Sequence, residues 1–148
     1  MSSEENLQSV NNKRPNDQVV NTWSIGDSQD VLSKIINELC DLYIKEVMKG
    51  NSEYSILHTI NHYLANRQQI PEEIINLCLN NQENPIIKYN PIIQNILACC
   101  YSYGKWIKKD ENQVFFHYKK SAEMNDSIGI NGLGRCYENG IGVEKKQS

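Results

Sequence analysis

Apolar side chains recur at steps of three and four residues along this chain, the spacing that places them on one face of a helix. The first such run lies between Asp27, a capping residue, and Gly50, a residue type that ends helices. A second run follows Ser52, and a third begins at Pro71, which suits the first turn of a helix. The pattern therefore predicts a front segment of three helices in residues 27–88.

Three more helices are predicted in residues 89–148, beyond a predicted loop around Asn84–Pro85. Their capping residues are Asn90, Asp110 and either Asp126 or Ser127, and their end signals are Gly104, Asn125 and Gly140. No run alternates apolar and polar residues as a strand does. The fold class predicted from the pattern is therefore all-α.

One segment occurs twice near the C-terminus, in residues 97–104 and 133–140, 36 residues apart. The positions that match are Leu97 and Leu133, Cys100 and Cys136, Tyr101 and Tyr137, and Gly104 and Gly140. A period of this length, filled by helix pairs, is typical of an α/α helical-hairpin solenoid in which each unit buries its apolar face on the next. Such an architecture favours a binding surface over an enzyme.

The first 26 residues differ from the rest of the chain. They are polar, show no periodicity and contain too few apolar side chains to offset the entropy of ordering. We predict that residues 1–26 are a disordered tail or linker, and we assign no role to Trp23.

Charge and hydropathy exclude several classes of partner. The 148 residues carry a net charge of −3, whereas nucleic acids and anionic membranes are bound by concentrated Lys and Arg. No apolar run approaches the ~20 residues of a membrane helix, and the polar N-terminus is unlike a signal peptide. We predict that the protein binds neither nucleic acid nor membrane, is not secreted, and lies in the cytoplasm, with the nucleus as the alternative.

Several spaced features together resemble the Sel-one-like repeat, a relative of the tetratricopeptide repeat. The residues that carry the resemblance are Leu133-Gly134, Cys136-Tyr137, Gly140, Gly142-Val143, and Tyr118 with Ala122. The resemblance covers roughly residues 90–148 and implies a solenoid that holds other proteins in complexes. The front segment with the array behind it is also similar to segments downstream of kinase-like domains in some fungal proteins.

The chain departs from the repeat pattern in three places. Lys105-Trp106-Ile107 stands where the pattern has a second glycine and a valine, which predicts a wider loop in the first unit. Gly129 and Gly132 each cost their helix about 1 kcal/mol relative to alanine, which predicts a weak last repeat. The sequence also stops after the first helix and loop of the second unit, so we expect either a truncated product or an open end that a partner completes or that self-associates.

Candidate catalytic and metal sites are few. His58 and His62 stand four residues apart on one helix face, a spacing that can bind zinc, but Thr59 replaces the glutamate of the metalloprotease motif and no third ligand is indicated. The five cysteines form no C-x-x-C pair, which favours reduced thiols used as packing residues. No kinase motif and no G-x-S-x-G elbow occur. We therefore predict no catalytic residue, no metal and no cofactor.

The predicted function is a non-catalytic protein-interaction or scaffold module that takes part in signalling. The first helices of successive units line the concave face of such arrays, and we choose Tyr103, Trp106, Arg135 and Glu138 as docking residues, although Tyr103 and Trp106 can equally fill the loop core. One alternative is the C-terminal regulatory fragment of a larger kinase-like protein. A second alternative is a small metal-dependent enzyme that uses His58 and His62.

Overall fold

The computed structural model describes residues 25–145, with side chains from Asp30 onward. The predicted tail therefore lies almost wholly outside the described residues, as does Trp23. Within the described range the chain is all-α. Its helices are α1 (Ile25–Met48), α2 (Glu53–Asn66), α3 (Pro71–Asn80), α4 (Pro85–Lys88), α5 (Pro91–Tyr103), α6 (Glu111–Glu123) and α7 (Ser127–Asn139). The boundary between two compact units falls inside α1, between Ile35 and Ile36, and every feature described below lies in the second unit.

Capping hydrogen bonds confirm four of the predicted helix starts, whereas the predicted start of α1 at Asp27 is wrong because α1 already begins at Ile25. The Ser52 side chain accepts from the Ser55 N–H at 3.2 Å, and that of Asn90 accepts from the Ile93 N–H at 3.0 Å. Asp110 and Asp126 cap α6 and α7 in the same way. Each cap satisfies a backbone donor that the first turn of the helix leaves without a partner.

The front segment contains the three predicted helices, α1 to α3, but the prediction of a loop around Asn84–Pro85 is wrong because the one-turn helix α4 is found there. Pro85 opens the one-turn helix α4, and the Asn84 side chain accepts from the Ile86 N–H at 3.0 Å. This is the same start signal that opens α5 at Asn90. A single turn is too short to show an apolar period, but Ile87 is fully buried and fixes the turn to the core.

Helix α5 is the centre of the fold. It packs against α2, α6 and α7, and its residues 93–100 are all buried. A core cluster of Ala98, Val114, Tyr118 and Cys136 joins α5, α6 and α7. A helix that is buried all round must be apolar on most of its faces, and this accounts for the apolar run of α5.

The two loops that follow α5 and α7 have the same backbone geometry, so the prediction of a wider first loop is wrong. Gly104 and Gly140 have φ of 62° and 68°, and Trp106 and Gly142 both have φ of 67°. Glycine is needed at position 142 because a Cβ there would meet the Glu111 carbonyl oxygen and the Phe115 side chain. Trp106 adopts the same left-handed conformation and is half-buried.

The glycines inside α7 allow α6 and α7 to approach closely. A Cβ on Gly129 would meet the Ser121 hydroxyl, and a Cβ on Gly132 would lie 2.6 Å from a ring carbon of Tyr118. The two glycines thus lower the helix propensity of α7 but allow close packing between the two helices. By contrast, a Cβ on Gly134 would have no heavy atom within 4 Å.

Between residues 25 and 145, no helix is both long and apolar enough to cross a membrane.

Candidate protein-docking cleft

A cleft of about 330 Å³ opens between the end of α1, the start of α2 and α7. Three helices contribute to it, each through residues three or four positions apart on one face. The lining residues are Tyr43, Val47, Asn51, Glu53, Ile56, Ser127, Ile128, Asn131 and Arg135. Because α5 packs against both α2 and α7, it holds the two sides of the cleft in place.

A short polar network fixes the corner between α1 and α2 beside the cleft. The Glu46 carboxylate accepts from the Asn51 amide at 2.7 Å, from Lys49 at 3.0 Å and from the Thr59 hydroxyl at 3.3 Å. Glu46 is buried, and these three donors satisfy its charge. The turn that places Asn51 and Glu53 at the cleft is therefore held by side chains from both helices.

An ion pair between Glu53 and Arg135 lies in the cleft wall. The Arg135 Nη2 donates to Glu53 Oε2 at 2.7 Å, and the same oxygen accepts from the Tyr118 hydroxyl at 2.6 Å. Burial is the main reason that the pKa of Tyr118 is raised, so its hydroxyl stays protonated and donates. The Arg135 guanidinium also lies 5.8 Å from the centre of the Tyr118 ring. The pair joins α2 to α7 and is fixed by a buried side chain.

An exposed pair of tyrosines lies next to this ion pair but outside the cleft. The rings of Tyr54 and Tyr103 meet edge to face with centroids 5.6 Å apart, and the two residues are 57% and 45% exposed. Burial and the Glu53 carboxylate raise the pKa of Tyr103, whereas Arg135 acts in the opposite direction. Tyr103 is therefore close to both charges, and the tyrosine pair extends the surface beyond the cleft.

The four predicted docking residues do not all meet. Arg135 lines the cleft and Tyr103 lies beside it. Trp106 is in the loop after α5, with the Lys105 ammonium 5.6 Å from its ring centre, and Glu138 is exposed near the end of α7. Neither Trp106 nor Glu138 lines the cleft.

Sequence reasoning missed the part of the cleft that comes from the front segment. Glu53 reads as an acidic residue favoured in a first helical turn, and no local signal connects it with Arg135, 82 residues later. Tyr54 and Asn131 stand at exposed helix positions, which the apolar pattern alone marks as solvent-facing. An exposed aromatic such as Tyr54 was the one signal available.

The residues that define the repeat build the scaffold. Those in the core or partly buried are Leu97, Cys100, Tyr101, Tyr118, Ala122, Leu133, Cys136 and Tyr137. Tyr101 stacks on His117 at 5.6 Å, and Tyr137 meets Phe115 edge to face at 5.6 Å. The remaining ones are glycines: Gly104, Gly140 and Gly142 supply left-handed turns, and Gly134 is exposed in α7.

The histidine pair and the cysteines form neither a cluster of three metal ligands nor a disulfide within residues 30–145. His58 and His62 are exposed on α2 with ring centroids 5.0 Å apart, and no cluster of three metal-ligating side chains occurs in the part of the chain that the structure describes. All five cysteines are free, and four are buried. Burial raises the pKa of the Cys78 and Cys99 thiols to about 12. These thiols act as packing groups, as predicted.

Comparisons with known proteins agree with the repeat seen in the helices. The family model of the Sel1 repeat matches residues 93–126 and 127–148. No curated protein and no solved structure matches the chain. The first match spans α5 and α6, which pack against each other, and the second match begins at the start of α7. Residues 93–148 of this chain therefore contain two Sel1 repeats.

Proposed function

We propose that this chain is a non-catalytic protein-interaction module that docks its partner in the cleft between α2 and α7. The observation that carries the proposal is the cleft itself, whose wall contains an arginine paired with a glutamate that a buried tyrosine holds in place, next to two exposed tyrosines outside the cleft. Tyrosine and arginine are enriched among the residues that dominate binding energy at interfaces. Sel1 repeats generally mediate contacts between proteins, which supports the same function.

The chemistry of the cleft supports binding rather than catalysis. Its carboxylate, Glu53, is engaged through one oxygen by Arg135 and by Tyr118, contacts that hold the wall of the cleft together. Neither histidine nor cysteine lines the cleft. The other polar lining groups are hydroxyls and amides, which bind and orient.

The predictions about signalling, location, self-association and contacts outside the cleft remain proposals. A role in signalling, an adaptor function and a cytoplasmic location fit this module, as does self-association through the open end of the repeat array. Trp106 and Glu138 remain candidate contacts outside the cleft. No feature of residues 30–145 favours the fragment of a kinase-like protein or the metal-dependent enzyme over the interaction module.

Photo-crosslinking on the full chain tests the proposed docking surface. The photoreactive amino acid p-benzoylphenylalanine replaces Asn131 in the cleft or, as a matched control, Asn76, which is exposed on α3 and does not line the cleft. In extract of the source cells we expect discrete protein adducts from position 131 that position 76 does not give. Identical adduct patterns from the two positions would show that the cleft is not the docking surface.

A further inference from the structure

We infer that the loop between α5 and α6, residues 104–110, is a second docking site, which binds an acidic segment of a partner protein through Trp106 and the lysines on either side of it. No residue of this loop lines the cleft, so the inference goes beyond the proposed function. Three observations carry it: the backbone conformation of Trp106, the unpaired positive charges of the loop, and the hydrogen bonds that hold the loop against α5.

Trp106 has a backbone conformation that is rare for a bulky residue. Its φ of 67° lies in the left-handed region, and the residue with the same φ in the loop after α7 is the glycine Gly142. The ring is only half-buried, and its indole N–H reaches solvent and makes no hydrogen bond within the described residues. Strained backbone positions cluster at binding sites, and tryptophan is enriched among the residues that dominate binding energy at interfaces. The exposed part of the ring is therefore available as an anchor for a partner.

The loop carries three positive charges that the fold leaves without partners. Lys105, Lys108 and Lys109 occur within five residues of the chain. The Lys105 ammonium lies 5.6 Å from the centre of the Trp106 ring, and the other two lysines are exposed. Within residues 30–145, none of the three forms an ion pair. Because interfaces match opposite charges, the complementary partner is acidic.

Two acidic residues limit the extent of this basic stretch. The Asp110 carboxylate accepts from the N–H groups of residues 112 and 113 as the cap of α6, and Glu111 is exposed in the first turn of that helix. Anionic membranes are recognised by clusters of about four to eight basic residues, and nucleic acids by a series of phosphate contacts. Three lysines followed by two carboxylates fit a short acidic run of a polypeptide better than either of these extended anionic surfaces.

Hydrogen bonds hold both ends of the loop against the last turn of α5. The Lys105 N–H donates to the Cys100 carbonyl oxygen at 3.0 Å, and the Asp110 N–H donates to the Tyr101 carbonyl oxygen at 3.2 Å. A loop whose backbone is fixed in this way loses little conformational freedom when a partner binds, which favours affinity. The tryptophan and the lysines are therefore presented on a backbone that is already ordered.

Selection from a library of short randomised peptides displayed on phage, with the full chain as bait, tests the inference. Enriched peptides are then titrated against the native protein, Trp106→Gly, and a double variant in which Lys108 and Lys109 are replaced by glutamine. The control is a double variant with glutamine at Lys34 and Lys45, which removes the same charge from exposed positions of α1.

Trp106→Gly should keep the fold, because glycine adopts a φ of 67° without strain, and circular dichroism verifies this. We expect a consensus rich in aspartate and glutamate. The affinity should be about tenfold weaker for Trp106→Gly and about fivefold weaker for the variant at Lys108 and Lys109, since exposed ion pairs are individually weak. The control should bind with native affinity, and added salt should weaken binding because it screens exposed charges.

Four outcomes would overturn the inference. They are a consensus without acidic residues, native affinity in Trp106→Gly, equal affinities for the two double lysine variants, and the absence of any enriched peptide. Vesicles of phosphatidylcholine and phosphatidylserine in equal parts, and a single-stranded oligonucleotide, are titrated in parallel; tighter binding of either than of the peptides would assign the loop to that anionic surface instead. The crosslinking experiment at position 131 reports on the cleft alone, so failure of one proposal leaves the other standing.

Discussion

Two glycines of α7, only two positions apart, allow a matched test of how closely α6 and α7 pack. A Cβ on Gly132 would lie 2.6 Å and 2.7 Å from two ring carbons of Tyr118, whereas a Cβ on Gly134 would have no heavy atom within 4 Å. Both residues are inside the same helix. Replacement by alanine therefore gains the same helix propensity, about 1 kcal/mol, at either position. The difference between the two variants reports the tertiary contact alone.

The expected magnitude follows from the surroundings of Tyr118. Non-bonded carbon atoms normally approach to ~3.5–4.0 Å, so a methyl group at position 132 requires a displacement of about 1 Å. The Tyr118 ring is buried and its hydroxyl donates to Glu53 at 2.6 Å, which restrains it. Overpacking costs about 1–3 kcal/mol, and we expect the upper end here. After the gain in propensity, Gly132→Ala should destabilise the fold by about 2 kcal/mol, and Gly134→Ala should stabilise it by about 1 kcal/mol.

Urea unfolding of the full chain, followed by far-ultraviolet circular dichroism, measures both changes. We expect the urea midpoints of the two variants to shift in opposite directions from that of the native protein, with unchanged slopes. The melting temperature of Gly134→Ala should rise by roughly 4 °C. If Gly132→Ala stabilises the protein as much as Gly134→Ala does, the close approach of α7 to the Tyr118 ring is refuted.

Three further predictions concern a buried histidine, the ion pair and the thiols. Burial lowers the pKa of His117 to about 4. Between about pH 6.5 and 4, only the unfolded chain therefore binds a proton at this residue. The free energy of unfolding should fall by up to ~1.4 kcal/mol per pH unit as the pH drops through this window. This pH-dependent term, measured by urea unfolding, should disappear in His117→Gln. Glu53→Ala should lower the free energy of unfolding by about 1–3 kcal/mol because it removes the carboxylate acceptor of the buried Tyr118 hydroxyl and leaves only the weakly accepting Cys99 sulfur at 3.6 Å. In the folded protein all five thiols should react slowly with Ellman's reagent, and Cys40, whose pKa is raised by burial to about 11, should react first because it is half-buried.

Each of these predictions has a control or a contradicting result. The same pH slope in the native protein and in His117→Gln would mean that His117 is accessible to protons in the fold. Glu72→Ala is the matched control for Glu53→Ala, since Glu72 is an exposed acid in the first turn of α3; equal losses in the two variants would remove any special role for the Tyr118 contact. Rapid reaction of four or more thiols before urea is added would contradict the buried thiols.

The local part of the fold could be predicted from the sequence because its causes are local. Asn90 and Asp126 cap their helices through backbone groups three residues away, and Gly104 and Gly140 adopt the left-handed conformation that ends these helices. The repeat of 36 residues fixed which helices are equivalent. The one-turn helix after Asn84 was missed because four residues are too few to show a period, although its start signal was present.

The cleft and the close packing of α7 depended on contacts between distant parts of the chain. Gly129 and Gly132 looked like a weakness of α7 until the structure placed the Ser121 and Tyr118 side chains against them. Trp106 has the φ of Gly142 and is half-buried, whereas a Cβ at position 142 would meet the Glu111 carbonyl oxygen.

The sequence by itself thus determined the helices, their ends and their repeat, since each of these is set by neighbours along the chain. Only the tertiary structure brought Glu53 of the front segment within 2.7 Å of Arg135 in the last helix. Three-dimensional packing of α2 and α7 on α5 decides that contact, and no spacing along the sequence encodes it.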